Sequence, residues 1–417
     1  MTIVTVCHDH VAPSTAGAHM AYSAPMQYRS GFGFPSDVIS DLDRARRVLS
    51  NKWFFAGTRG DVPKQRDYFS FEVLGDEFFL LHGSDGTIRC FVNRCAHQSA
   101  RLVRSDTGGC GARMTCPNHQ WSYDIDSGSL RAAPVMGSGF METDFAMSAG
   151  LTEVATREVA GMIFACLDPD ADDTDIAEID AILAPYTNPF AMEQGGYKLA
   201  HHHREVVPAN WLMVMINNRE CCHCRQNHKG LLNLFDPSSF NGATSASYDA
   251  MVADGVQRWT ELGRAWEEQA FTTNDCCRVA RYPLQPGYKS ITFDGEAASA
   301  KLIGGWDDYD ASTLSMWFNP NAWVHFTSDH IATNWVLPID AETCTLYSSW
   351  IVHVDAEEGV DYDVDHLTDV WRVTNAEDVD LCNSMTKGAL SSYYEPGPFA
   401  ADEQFCKQFC DWYMRYS

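Results

Sequence analysis

The chain has 417 residues, enough for two or three units with buried cores of their own. Hydrophobic residues make up 45% and charged residues 21%, the balance of a globular protein, and the formal net charge of −26 opposes binding to phosphate backbones or anionic membrane surfaces. Nucleic acid and membrane are therefore not expected as partners. The N-terminus has no basic segment followed by an apolar core, and the runs 211–216 and 162–167 are too short to span a bilayer, so the fifteen cysteines are expected as reduced thiols in a cytoplasm, some of them on metal.

Residues 1–35, rich in Ala, Ser, Gly and Pro, read as an arm, and 36–50 as a short helix with Ser36 as N-cap; together they form a first unit, 1–50. From 51 to 167 aromatic and branched runs broken by Gly75 and by Gly83–Gly86 predict successive hairpins. Residues 168–189, acidic and flanked by prolines, read as a linker with one short helix. In 190–417, strands are expected at 197–207 and in several stretches between 277 and 355. A helix is expected over 210–230, opened by Asn210 and stopped by Gly230, and another over 363–389. Strands and helices without βαβ alternation predict an α+β fold: an all-β domain, then an antiparallel sheet with covering helices.

Two constellations carry chemistry. The first is Cys95-Ala-His97, eighteen residues, then Cys116-Pro-Asn-His119. Two thiolates and two neutral imidazoles suit a Rieske-type [2Fe–2S] cluster, the thiolates on one iron and the imidazoles on the other. One tetrahedral zinc is the competing reading, but Cys-x-His is an unusual zinc half-site and the surroundings are strands. Cys90 and Cys110 fall outside the pattern and read as packed thiols. The second constellation is Glu220-x-x-His223-x4-His228. On an ideal helix the two imidazoles lie roughly 140° apart, so they meet at one ion only if the helix distorts, which the Lys229-Gly230 ending would provide. Asp378 lies on the apolar stripe of the last long helix, where a buried carboxylate needs a cation or full hydrogen bonding; Glu377 and Asp380 point elsewhere and read as solvated. Two imidazoles and one carboxylate make the facial triad of a non-haem Fe(II) site. The His201–His203 run reads as ordinary strand residues, and a His-x-x-x-His zinc hydrolase site is absent.

With these residues the chain resembles the Rieske non-haem iron oxygenases over roughly 45–415. The resemblance implies a Rieske [2Fe–2S] domain followed by a helix-grip-like catalytic domain. It assigns Cys95, His97, Cys116 and His119 to the cluster and His223, His228 and Asp378 to mononuclear Fe(II). Asn217 would lie near the iron. Glu220 would bridge His119 of one subunit and His223 of the next, which implies a homotrimer. Oxygen atoms from O2 would enter a small-molecule substrate, with electrons from a separate NAD(P)H reductase or ferredoxin, since no flavin or nicotinamide motif is present. The tail 374–413 is similar to the branch acting on choline, glycine betaine and carnitine, which implies N-demethylation of a quaternary ammonium compound. Trp306, Trp317 and Trp323 are candidate aromatic faces for such a cation. Two departures from that branch, Ile216-Asn217-Asn218 and Cys222, keep open oxygenation of a natural-product amine at carbon or nitrogen. A Rieske electron-transfer or redox-sensing protein is the reading from another class.

Overall fold

The computed structural model describes residues 27–236, 245–270 and 275–417; the expected arm before residue 27 lies outside them. Asp41 breaks the first expected helix in two. It ends α1 (Ser36–Ser40), and its side chain then accepts from the Arg44 amide to cap α2 (Leu42–Asn51). Ser36 is not an N-cap: it is the first residue of α1, and its hydroxyl donates to the Ala389 carbonyl.

Ten strands follow: β1 (Phe54–Thr58), β2 (Asp67–Val73), β3 (Asp76–His82), β4 (Ile88–Val92), β5 (Thr107–Gly109), β6 (Met114–Thr115), β7 (Ser122–Tyr123), β8 (Leu130–Ala132), β9 (Glu153–Val159) and β10 (Met162–Cys166). Helix α3 (Asp144–Ser148) lies between β8 and β9. Seven strands form one antiparallel sheet in the order β1-β10-β9-β4-β3-β2-β5, and β6-β7-β8 form a small one. The helix expected within 168–189 is α4 (Thr174–Thr187), and its Ile176, Ile179 and Leu183 pack into the main core.

The second half opens with β11 (Tyr197–Val207), then α5 (Trp211–Asn218), α6 (Cys224–Asn227) and α7 (Ala246–Glu261). Strands β12 (Cys277–Pro283), β13 (Ser312–Phe318), β14 (Ala322–Phe326), β15 (Ile331–Pro338) and β16 (Cys344–His353) join β11 in an antiparallel sheet ordered β11-β16-β15-β14-β13-β12. Helices α8 (Val364–Ala389) and α9 (Gln404–Tyr416) close the chain.

Every residue of β15 is buried, because both faces of its sheet are covered. Alternation divides the load. Trp335 points to the first half and meets Phe55, Phe69 and Phe71, while Asn334 points the other way and accepts from Asn375 of α8. One hydrophobic cluster thus runs from Phe54 and Phe164 through Phe318 to Tyr347. Asn321 stitches the halves together, donating to the Phe55 carbonyl and accepting from the Phe55 amide, each at 2.9 Å. Helices α5 and α8 pack on each other across the far face of the second sheet.

Candidate active site: two donor clusters and a cavity

The cluster residues come from two loops of one design. The Cys95 amide donates to the Ala100 carbonyl and the Ser99 amide to the Cys95 carbonyl; likewise Cys116 donates to Trp121 and Gln120 to Cys116. Ser99 and Gln120 hold matching left-handed φ values, 58° and 60°. Each loop therefore turns back within six residues and presents Cys and His on the same side. Cys95 and Cys116 are almost fully buried. The rings of His97 and His119 lie 4.7 Å apart, and His97 stacks on Trp121 at 4.7 Å and 8°. His97 Nδ1 is buried without a hydrogen-bond partner, as expected of a nitrogen reserved for metal. The Tyr123 hydroxyl lies 3.0 Å from Cys95 Sγ and accepts from the Ala96 amide.

The helix expected over 210–230 is two helices. Asn210 caps α5 through the Leu212 amide, as its side-chain chemistry requires, but α5 ends at Asn218. Arg219 is fully buried. It donates to the Phe318 carbonyl and to Asn319 and Asn218, so this side chain pulls the backbone out of helical register. After the break, His223 begins α6 as its N-cap and His228 ends it as its C-cap, with φ −109° and ψ 69°. The imidazoles converge because a break precedes His223 and the turn at His228 is non-helical.

Asp378 comes in from α8. Its Oδ1 lies 3.3 Å from His223 Nε2 and 3.0 Å from His228 Nε2. The other nitrogen of each ring is held by a carboxylate: His223 Nδ1 by Glu220 at 2.5 Å, and His228 Nδ1 by Glu377 at 2.7 Å. Glu377 is thus an orienting partner, correcting its reading as a solvated residue; at mid-side-chain length it reaches around the helix. Three carboxylates surround two imidazoles in a mostly buried site. Burial disfavours the His223 cation, yet Asp378 and Glu220 outweigh it and hold the pKa up near 10. So much negative charge suits a divalent cation. His228 Nε2 and Asp378 Oδ1 are buried without hydrogen-bond partners although they face each other, so the donor set fits one metal ion. Asn217, 5% exposed, places its amide 3.5 Å from His223 Nε2.

Residues 52–153 match the Rieske [2Fe-2S] domain, and 193–417 match the ring hydroxylating alpha subunit (catalytic domain). The glycine betaine monooxygenase oxygenase subunit of Chromohalobacter salexigens is 34% identical over 375 residues, 88% of this chain and 81% of that one. This chain belongs to the Rieske non-haem iron oxygenases. The carnitine monooxygenase oxygenase subunit of Acinetobacter pittii is 24% identical over 86% of this chain and 84% of its own. A solved quaternary ammonium Rieske monooxygenase shares the fold at TM-score 0.69, with 19% identity, over 92% of this chain and 95% of that one. A naphthalene 1,2-dioxygenase does so at TM-score 0.66, with 19% identity, over 93% of both chains. The oxygenase is accordingly an oxidoreductase with a Rieske-type [2Fe–2S] cluster and a mononuclear iron, of a kind that works with a separate reductase. No helix among its described residues is long and apolar enough to cross a membrane.

A cavity of about 180 Å³ opens beside the metal donors of the oxygenase. Alternation on the second sheet builds its floor: Thr313, Ser315 and Trp317 on β13, with Trp323 and His325 on β14, share one face, and Trp317 pairs directly with Trp323 across the strands. Tyr282, Phe235 and Trp371 add further aromatic wall, with His325 stacked on Trp371 at 4.1 Å. Burial pushes the His325 pKa down to about 3, so it is neutral. Trp306 does not line the cavity; it packs on Phe190, with the Arg264 guanidinium 3.6 Å from its ring. Sequence reasoning missed Tyr123, Trp121, Glu377 and Trp371. For Trp121 and Tyr123 a signal existed in their position just past His119, at the end of the second ligand loop and in the strand that follows it.

Proposed function

We propose that the oxygenase oxidises a small cationic amine of the quaternary ammonium type at a carbon bonded to nitrogen, using Cys95, His97, Cys116 and His119 for the cluster and His223, His228 and Asp378 for the iron. When bound, the iron supplies O2 activation and the cluster supplies single electrons. Hydroxylating an N-methyl carbon gives a hemiaminal that loses formaldehyde, so the outcome is N-demethylation.

The observation that carries this reading is the cavity wall. It carries aromatic rings and the carboxylates Glu220 and Asp378, and no Lys or Arg is among its lining residues. The segments outside the described residues, 1–26, 237–244 and 271–274, contain no Lys or Arg either. A cation is stabilised in such a cavity by ring faces, at about 0.5–2 kcal/mol each. Trp317 already carries Arg278 at 4.5 Å and Arg219 at 5.1 Å, and Arg278 also lies 5.9 Å from the Tyr282 ring, so Trp323 is assigned the substrate cation. The relatives named for glycine betaine and carnitine support the same class. Asn217 and Asn375 orient the substrate from the helical side, and Glu220 holds the His223 ring.

The cavity wall also favours a second reading. Asn218 and Cys221, in the stretch around the departures from the quaternary-ammonium pattern, line the cavity, which suits a different amine or oxygenation at nitrogen. Single turnover of the pre-reduced protein under O2 separates the two. Choline, glycine betaine, carnitine and tertiary and primary amines are offered in turn, with formaldehyde and product mass recorded. Formaldehyde from a quaternary compound is expected. An amine that gains one oxygen without formaldehyde, while all quaternary compounds stay unchanged, replaces the first reading with the second.

A further inference from the structure

Five buried polar atoms of the residues lining the cavity have no hydrogen-bond partner among the described residues: His228 Nε2, Asp378 Oδ1, His325 Nδ1, Thr374 Oγ1 and Trp371 Nε1. The metal accounts for the first two. The other three gather at one end. Thr374 and Trp371 precede Asp378 on α8 by four and seven residues, which is about 6 and 10 Å along the helix axis. His325 stacks on Trp371, and Ser315, in the same wall, is the cross-strand partner of His325. Trp323, assigned the substrate cation, stands two residues from His325 on β14, about 7 Å along the strand. The cavity therefore has a cation end and a second polar end.

That second end is built from hydrogen-bond donors. Thr374 and Trp371 are 5% and 7% exposed. An indole N–H only donates, a hydroxyl can donate, and a neutral imidazole has one N–H. The His325 ring covers the face of Trp371, so Trp371 offers its N–H edge rather than a surface for a cation. Buried donors without partners are costly, and a ligand atom that accepts from them removes the cost. We propose that Trp371, Thr374 and His325 select substrates that carry an oxygen acceptor, a carboxylate or a hydroxyl, on the side chain of the ammonium nitrogen. An alkyl group at this end leaves the donors unpaired, and a second ammonium only adds donors to donors. The inference rests on the quaternary ammonium reading, which places the cation at Trp323, and adds to it the group that recognises the rest of the molecule.

Binding tests this apart from turnover. The iron-loaded protein, kept free of O2, is titrated calorimetrically with matched compounds: choline against propyltrimethylammonium, and glycine betaine against isobutyltrimethylammonium. The members of each pair have nearly the same shape and differ in the acceptor. Dimethylglycine against dimethylisobutylamine is the tertiary pair. In wild type, one acceptor compound is expected to bind at least about tenfold more tightly than its alkyl counterpart. Trp371→Phe and Thr374→Val are each expected to lower that ratio about three- to tenfold, with the Rieske spectrum as the control for folding. The pair that shows the preference tells carboxylate from hydroxyl. Alkyl compounds that bind wild type as tightly as their counterparts overturn the proposal and leave the cation reading standing. A ratio unchanged in both variants overturns the assignment to these residues. If the tertiary pair alone binds, the quaternary reading fails, and the ratio within that pair still decides the acceptor. No binding by any of these compounds overturns both.

Discussion

At the scale of single residues, both metal centres depend on groups one contact removed from the donors. Glu377 fixes the ring of His228 through Nδ1, as Glu220 fixes that of His223. Losing such a partner costs about 10–100-fold in metal affinity. Glu377→Ala is therefore expected to weaken iron binding by that factor in a chelator competition, with the Rieske spectrum unchanged. Glu220→Gln keeps a hydrogen-bonding group beside His223, so both centres are expected to stay loaded while turnover slows; normal turnover would remove the bridge to His119 of a neighbouring subunit that the family resemblance implies. On the cluster side, the Tyr123 hydroxyl lies 3.0 Å from Cys95 Sγ. A donor to a cluster thiolate stabilises the reduced, more negative state. One such bond of about 1 kcal/mol corresponds to roughly 40 mV for one electron, so Tyr123→Phe should lower the midpoint potential by that order in a redox titration. The donors themselves were legible in the sequence, because Cys-x-His, Cys-x-x-His and Glu-x-x-His-x4-His are local patterns. Glu377 was not: a helical wheel turns it about 100° from Asp378, and only the three-dimensional path of His228 shows that its carboxylate reaches the ring.

At the scale of elements, the strands and α8 were legible from apolar periodicity, and Asn210 from its capping chemistry. The break after α5 was not. Arg219-Glu220-Cys221-Cys222 contains no glycine or proline, and helix propensity alone would carry the helix onward. Tertiary contacts decide against it, with Arg219 drawn to the Phe318 carbonyl and to Asn319 on the loop between β13 and β14. Asn321, on that same loop, holds β1 by two bonds to Phe55. Asn321→Ala leaves a buried amide N–H and reduces the bonding of a buried carbonyl, at about 1–3 kcal/mol for an unsatisfied group. The expected result is a fall of a few degrees in the thermal midpoint, roughly, with both metal centres still loaded at 25 °C. Unchanged stability would mean that the shared apolar core, not this polar clasp, joins the halves.

At the scale of the whole molecule, the cluster ligands and the iron donors sit in different packing environments. Cys95 and Cys116 belong to a hydrophobic cluster drawn entirely from the first half, with Trp121 and Tyr123. Cys224, beside the iron donors, belongs to one built around Trp350 and Trp371. The large shared core of aromatic residues lies between the two sheets. The residues alone placed both centres in one chain; which cluster serves which iron depends on how copies assemble, and only the family resemblance implied an answer. The proposed route, from His119 of one subunit through Glu220 to His223 of the next, requires a closed ring, and mixing subunits tests it. A variant without a cluster, Cys95→Ser with Cys116→Ser, and a variant without iron, Asp378→Ala, are each expected to be inactive. In rings assembled at random from equal amounts, an iron-competent subunit has an even chance of a cluster-competent neighbour on the donating side. About a quarter of all sites should then turn over, judged against wild-type rings at equal chain concentration. If each cluster serves the iron of its own chain, no site in the mixture has both centres and activity stays absent.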